Sequence, residues 1–117
     1  MAAKIQIDNS LGLGWAREDI LLVTNFPYEY NGVKALVIGG EHYCVHHWPA
    51  TKIYVIVNLF DAGLIEDDLY WYHDFDCFQL APLTEPIIPD ADFGLARYGR
   101  MPTLCSASFF FKKSARL

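Results

Sequence analysis

The chain has three cysteines, Cys44, Cys77 and Cys105, and no CxxC pair among its 117 residues. An odd number at wide spacing does not make a disulfide framework, and this usage fits a reducing compartment. No apolar run approaches the roughly 18 residues that a membrane span needs. The longest, residues 53–60, is strand length. The N-terminal stretch MAAKIQIDNS lacks the apolar core of a secretory signal. A cytoplasmic protein without membrane contact is expected. Chemical signatures are scarce as well. There is no HExxH, no nucleophile elbow of the Gly-x-Ser/Cys-x-Gly kind, and only two glycines, Gly12 and Gly14, where a phosphate cradle needs a full fingerprint. A long amphipathic helical pattern is missing too, which excludes alternating βαβ architecture.

What is present is apolar and aromatic. Hydrophobic residues make up 53% and aromatics 15%, enough for a packed core and against global disorder. The length suits one domain, 1–117. Beta-branched and aromatic residues gather in short runs separated by turn residues, which is a strand signature. Strands are expected at 4–7, 19–25, 33–38, 41–47, 52–60, 69–75, 77–81 and 103–111. Asn31-Gly32 is a hairpin turn signal because both residues accept positive φ. Pro82, Pro86 and Pro89 mark an irregular segment. Asp90 and Gly99 bracket one or two helical turns near 90–99, as N-cap and C-terminal stop. The fold class is mainly β, as a small barrel or a strongly bent antiparallel sheet.

Charge is unevenly laid out. The net charge is −5, and nine acidic residues between Asp61 and Asp92 face no Lys or Arg in that interval. The C-terminal stretch inverts this, with Arg97, Arg100, Lys112, Lys113 and Arg116 and no acid. Mutual neutralisation of the two blocks is the plain expectation. A basic nucleic-acid footprint over the domain is absent, so no direct nucleic-acid contact is expected.

Three pieces in order, DILLV (from Asp19), GEHYCV (from Gly40) and WYHDFDCFQL (from Trp71), resemble small bacterial and phage proteins with a Src-homology-3-like (SH3-like) barrel. In those proteins a Gly-Lys/Glu-x-Tyr-x-Val strand precedes a hairpin, and an aromatic strand leads into a short Arg-Phe-x-x-Leu ending; here Cys77 stands at the Arg position. The resemblance covers residues 19–83. It implies a barrel core there with an extension over 84–117, and Tyr43 and Val45 pointing inward. It also implies a phage or prophage setting, in which small acidic proteins act by binding a host protein.

Strand side chains alternate, so His42, Cys44 and His46 are expected on one face. With His73 and Cys77 they are the candidate metal ligands, because zinc takes imidazole and thiolate in tetrahedral sites. A strand face with no metal is the plainer expectation, and no cofactor is assigned. Cysteine nucleophilic catalysis would need a histidine and an orienting acid beside the thiol; no catalytic residue is assigned. A small metal-binding or metal-dependent enzymatic domain centred on 42–47 is the alternative.

The leading expectation is a non-enzymatic protein-binding module, an inhibitor of a host or defence protein. Its contact surface would comprise Asp61, Glu66, Asp67, Asp68, Tyr70, Tyr72, Asp74, Asp76 and Trp48, since aromatics anchor interfaces. A sharper version has the carboxylates compete for the basic groove of a nucleic-acid-binding protein. A homodimer built through 52–60 or the C-terminal strand is a further possibility.

Overall fold

The computed structural model describes residues 1–84, 90–97, 99–100 and 103–115, without the side chains of Trp48 and Arg97. Pro86, Pro89 and Arg116 lie outside the described residues. The chain forms two compact units, each assembled from two separated stretches. The first unit comprises Met1–Gly40 and Phe75–Glu85; the second comprises Glu41–Asp74 and Pro86–Leu117.

The first unit opens with helix α1, Ala2–Gly12. Ala3, Ile7 and Leu11 recur at a spacing of four, which puts them on one helical stripe. That stripe packs on Leu22, Val33 and Ala35, with Ile7 and Val33 each 2% exposed. The helix stops in a Schellman turn. Gly14 adopts φ +94° and donates to the Leu11 carbonyl at 3.1 Å, and the Trp15 amide donates to Ser10 at 3.1 Å. Beyond a 3₁₀ turn at Arg17–Asp19 come four two-residue strands: β1 Val23–Thr24, β2 Glu29–Tyr30, β3 Val33–Lys34 and β4 Leu36–Val37. β1 and β4 pair in parallel, and β2 and β3 pair antiparallel. The expected hairpin is there: Asn31 (φ 51°) and Gly32 (φ 82°) join Tyr30 to its partner Val33. Lys4 and Asp8 clasp Tyr30 between them. Lys4 Nζ sits 4.9 Å from the ring centroid, and the phenol donates to Asp8 Oδ2 at 3.1 Å.

The second unit is a three-stranded antiparallel sheet with one helix on it. Its strands are β5 Leu69–His73, β6 Phe93–Arg97 and β7 Leu104–Lys112, in the order β5-β7-β6. Pairing of Tyr72 with Phe109 and Tyr70 with Phe111 lines up aromatic rungs, stacked at 4.7 and 5.4 Å between centroids. Helix α2, Thr51–Asp61, covers that face with Ile53, Ile56 and Phe60. Phe109 is 1% and Phe111 3% exposed; burying a side chain of this size stabilises by roughly 2–3 kcal/mol. On β7 the register slips. Leu95 pairs with Phe109, but Ala96 pairs with Cys105, so Ser106, Ala107 and Ser108 have no β6 partner.

The architecture is mixed α/β, with small sheets and two helices, and no closed barrel exists among the described residues. Several strand expectations change. Of 19–25 only Val23–Thr24 is strand, with Asp19 ending a 3₁₀ turn, and 33–38 divides into β3 and β4 in different sheets. Residues 4–7 lie inside α1, and 52–60 lie inside α2. Period-2 and period-3.6 readings compete in short apolar runs, and here the helical stripe found a sheet to cover. Residues 41–47 form a 3₁₀ turn at Gly40–His42 and then bends, because Gly39, Gly40 and Pro49 crowd a stretch too polar to pair. Residues 77–81 are irregular. The helical turns expected near 90–99 are instead strand β6, whose partner β7 supplies a full row of ladder positions.

Candidate functional site

The acidic turn between α2 and β5 belongs to the second unit. Asp61, Glu66, Asp67 and Asp68 are all exposed on it. The chain reaches the turn through a second Schellman stop: Gly63 at φ +65° donates to Phe60, and Leu64 donates to Leu59. Ile65, 6% exposed, is its buried anchor. The Asp67 amide donates to the Tyr70 hydroxyl at 2.9 Å, and that hydroxyl donates to Asp67 Oδ2 at 3.4 Å. The Lys113 amide donates to the Asp68 carbonyl at 3.1 Å. Burial, reinforced by the Asp67 carboxylate, raises the Tyr70 phenol above its ordinary pKa. None of the four carboxylates makes an ion pair with a described residue. The expected neutralisation by the C-terminal block therefore has no ion pair to show among the described residues.

Asp74 and Tyr72 have a different place. Lys52, in the first turn of α2, donates to Asp74 Oδ1 at 3.0 Å, to Asp74 Oδ2 at 2.9 Å and to the Ser106 carbonyl at 2.9 Å. Tyr72 donates to Asp74 Oδ1 at 2.6 Å. An ammonium has three protons, and all three are committed. Ser106 is one of the residues without a β6 partner, so Lys52 takes a carbonyl that the register slip left open. This clamp ties α2 to β5 and β7, and its donors are spent within the fold. Sequence reasoning missed it. No residue type announces a main-chain acceptor, and the slip that bares Ser106 is a property of pairing.

Asp76 is exposed and belongs to the first unit. The side chain of Trp48 lies outside the described residues. The histidine stretch offers no shared face. Val45, expected inside, is 83% exposed. His46 is exposed, while Cys44 is half-buried. His42 is 17% exposed at its side chain, with Nε2 3.5 Å from Glu41 Oε1 and Nδ1 buried without a partner. No three His, Cys, Asp or Glu side chains among the described residues gather around a common point. His73 stands on β5 with its ring 5.4 Å from Trp71, across from Ser108. No disulfide joins the cysteines. The first unit has a shallow depression of about 250 Å³ lined by Pro27, Tyr28, Glu29, Lys34, Ala35 and Val37. No described helix is long and apolar enough to cross a membrane. Compared with known proteins, the chain matches no protein-family model, no curated protein and no solved structure.

Proposed function

We propose that the chain is a non-enzymatic protein-binding module, and that its contact surface is the carboxylate-bearing turn over residues 61–68. One observation carries this reading: the turn is exposed, and its backbone is hydrogen-bonded and anchored by a buried side chain. Ile65, the Tyr70 hydroxyl and the Lys113 amide fix its backbone, while Asp61, Glu66, Asp67 and Asp68 project without ion-pair partners among the described residues. A surface ordered before binding avoids the entropy of ordering on contact. Three carboxylates on the turn, with Asp61 at the end of α2, complement a basic patch and speed encounter with it. Tyr72 and Asp74 bond within the clamp.

The finer form of the reading rests on the resemblance to phage and bacterial barrel proteins. The partner is then a host or defence protein, and the chain its phage- or prophage-encoded inhibitor. A nucleic-acid-binding partner would offer the basic groove such carboxylates occupy. The test is affinity capture from bacterial lysate at low salt, followed by Glu66→Lys, Asp67→Lys and Asp68→Lys together. Capture that is lost with the triple reversal and kept with Asp76→Lys supports the surface. Equal capture by wild type and the triple reversal assigns binding elsewhere, and no retained protein at any salt ends the reading.

A further inference from the structure

The segment from Phe75 to Thr84 is attached to the first unit in an unusual way. No strand pairs with it, and residues 78–84 make no backbone-to-backbone hydrogen bond with the described residues. Side chains hold it instead. Gln6 Nε2 donates to the Phe75 carbonyl at 2.9 Å and to the Cys77 carbonyl at 2.7 Å. Asn9, one turn along α1, donates to the Gln79 carbonyl at 3.2 Å. Trp15 Nε1 donates to Gln79 Oε1 at 2.7 Å. Of the ten residues only Cys77 and Gln79 are even half-buried, and Leu80 is 93% exposed. The docked arrangement also carries a cost. Gln6 is 5% exposed, and its Oε1 is buried with no partner; a buried acceptor left unmade weakens the state that contains it.

We propose that residues 75–84 form a detachable strap, released from α1 as a unit while the helix and the Asn31-Gly32 hairpin stay folded. Neutral side-chain bonds, little buried surface and an orphan acceptor place its opening at the low end of the local stability scale. α1 and the hairpin are held by their own backbone bonds and by the Ile7, Leu22 and Val33 core, none of which opening disturbs. Release uncovers Gln6 and frees its amide to pair with water or with another peptide carbonyl.

Cys77 lies in the strap and reports on it. In a Cys44→Ser, Cys105→Ser background, alkylation of Cys77 by iodoacetamide is followed by intact mass through rising urea. The rate is expected to stay nearly flat below the unfolding transition, since strap opening exposes little surface. Gln6→Ala is expected to speed labelling about tenfold and Asn9→Ala about threefold, with the helical circular dichroism signal retained. Lys4→Ala, on the same helix but against Tyr30, should leave the rate unchanged. A rate that climbs with the urea slope of global unfolding overturns the proposal, as does labelling in Asn9→Ala no faster than in Lys4→Ala. The asparagine variant decides alone if Gln6→Ala does not fold.

Discussion

Replacing Lys52 by Met removes the charge and keeps most of the aliphatic stem. Asp74 then keeps only the Tyr72 hydroxyl as a side-chain donor, and the Ser106 carbonyl loses its partner. The side chains are 18% and 33% exposed. Full burial would make a broken pair worth 3–5 kcal/mol. Water reaching Asp74 reduces this, and losing three charge-assisted bonds in a half-buried site is expected to cost about 2 kcal/mol. With a urea slope of about 2 kcal/mol per molar, typical of small proteins, the midpoint falls by about 1 M. Asp74→Asn should cost somewhat less, because an amide still accepts from Tyr72. The double variant should show a coupling energy of about 1–2 kcal/mol. The shift should also persist in 0.5 M salt, where an exposed pair would be screened. A midpoint change under 0.2 M for Lys52→Met, or additive single effects, would refute the view of this pair as the pin of the second unit.

Two glycines with opposite surroundings give a paired thermal-melting test. An added Cβ at Gly32 would meet Arg17 Cδ at 2.8 Å on a backbone at φ +82°, so Gly32→Ala should destabilise by about 1–2 kcal/mol; at Gly12 nothing lies within 4 Å, and Gly12→Ala should be neutral or stabilising by up to about 1 kcal/mol. The Tyr70 phenol, raised mainly by burial, binds its proton more tightly folded than unfolded. Its contribution is therefore complete below the unfolded pKa near 10 and declines as pH rises through the folded value. Denaturation of wild type and Tyr70→Phe between pH 8 and 11 should show the wild type losing its relative advantage above pH 10, and a constant difference would contradict the assignment.

The parts of the fold legible in the sequence are those that local chemistry determines alone. Asn31-Gly32 needs no tertiary help to favour its turn. The alternation that buries Phe109 and Phe111 is visible in β7 itself. The helices were hidden by a different circumstance. The run from Ile53 to Phe60 satisfies both periods, and the arbiter was the glycine just past its end. Gly63, like Gly14 after α1, is the helix stop that a left-handed residue marks; read as loop residues, both lose their meaning. β6 is illegible for the converse reason. Gly94 and Ala96 have little strand preference, and the ladder along Phe109–Phe111 imposes the conformation. The acidic turn was visible as composition, whereas the fate of Asp74 depended on Lys52 being helical and Ser106 being bared.

Because each unit is built from two stretches separated along the chain, synthesis delivers them interleaved. As residue 40 leaves the ribosome, the first unit still lacks its strap; by residue 74 the second has α2 and β5 but not the central strand of its sheet. A nascent chain therefore has all of the Ile7, Leu22 and Val33 core before its strap exists, while the aromatic rungs of β5 wait for β7. No single cut yields either unit whole, so fragments made for study must be paired, and the second core closes only once β7 has been made.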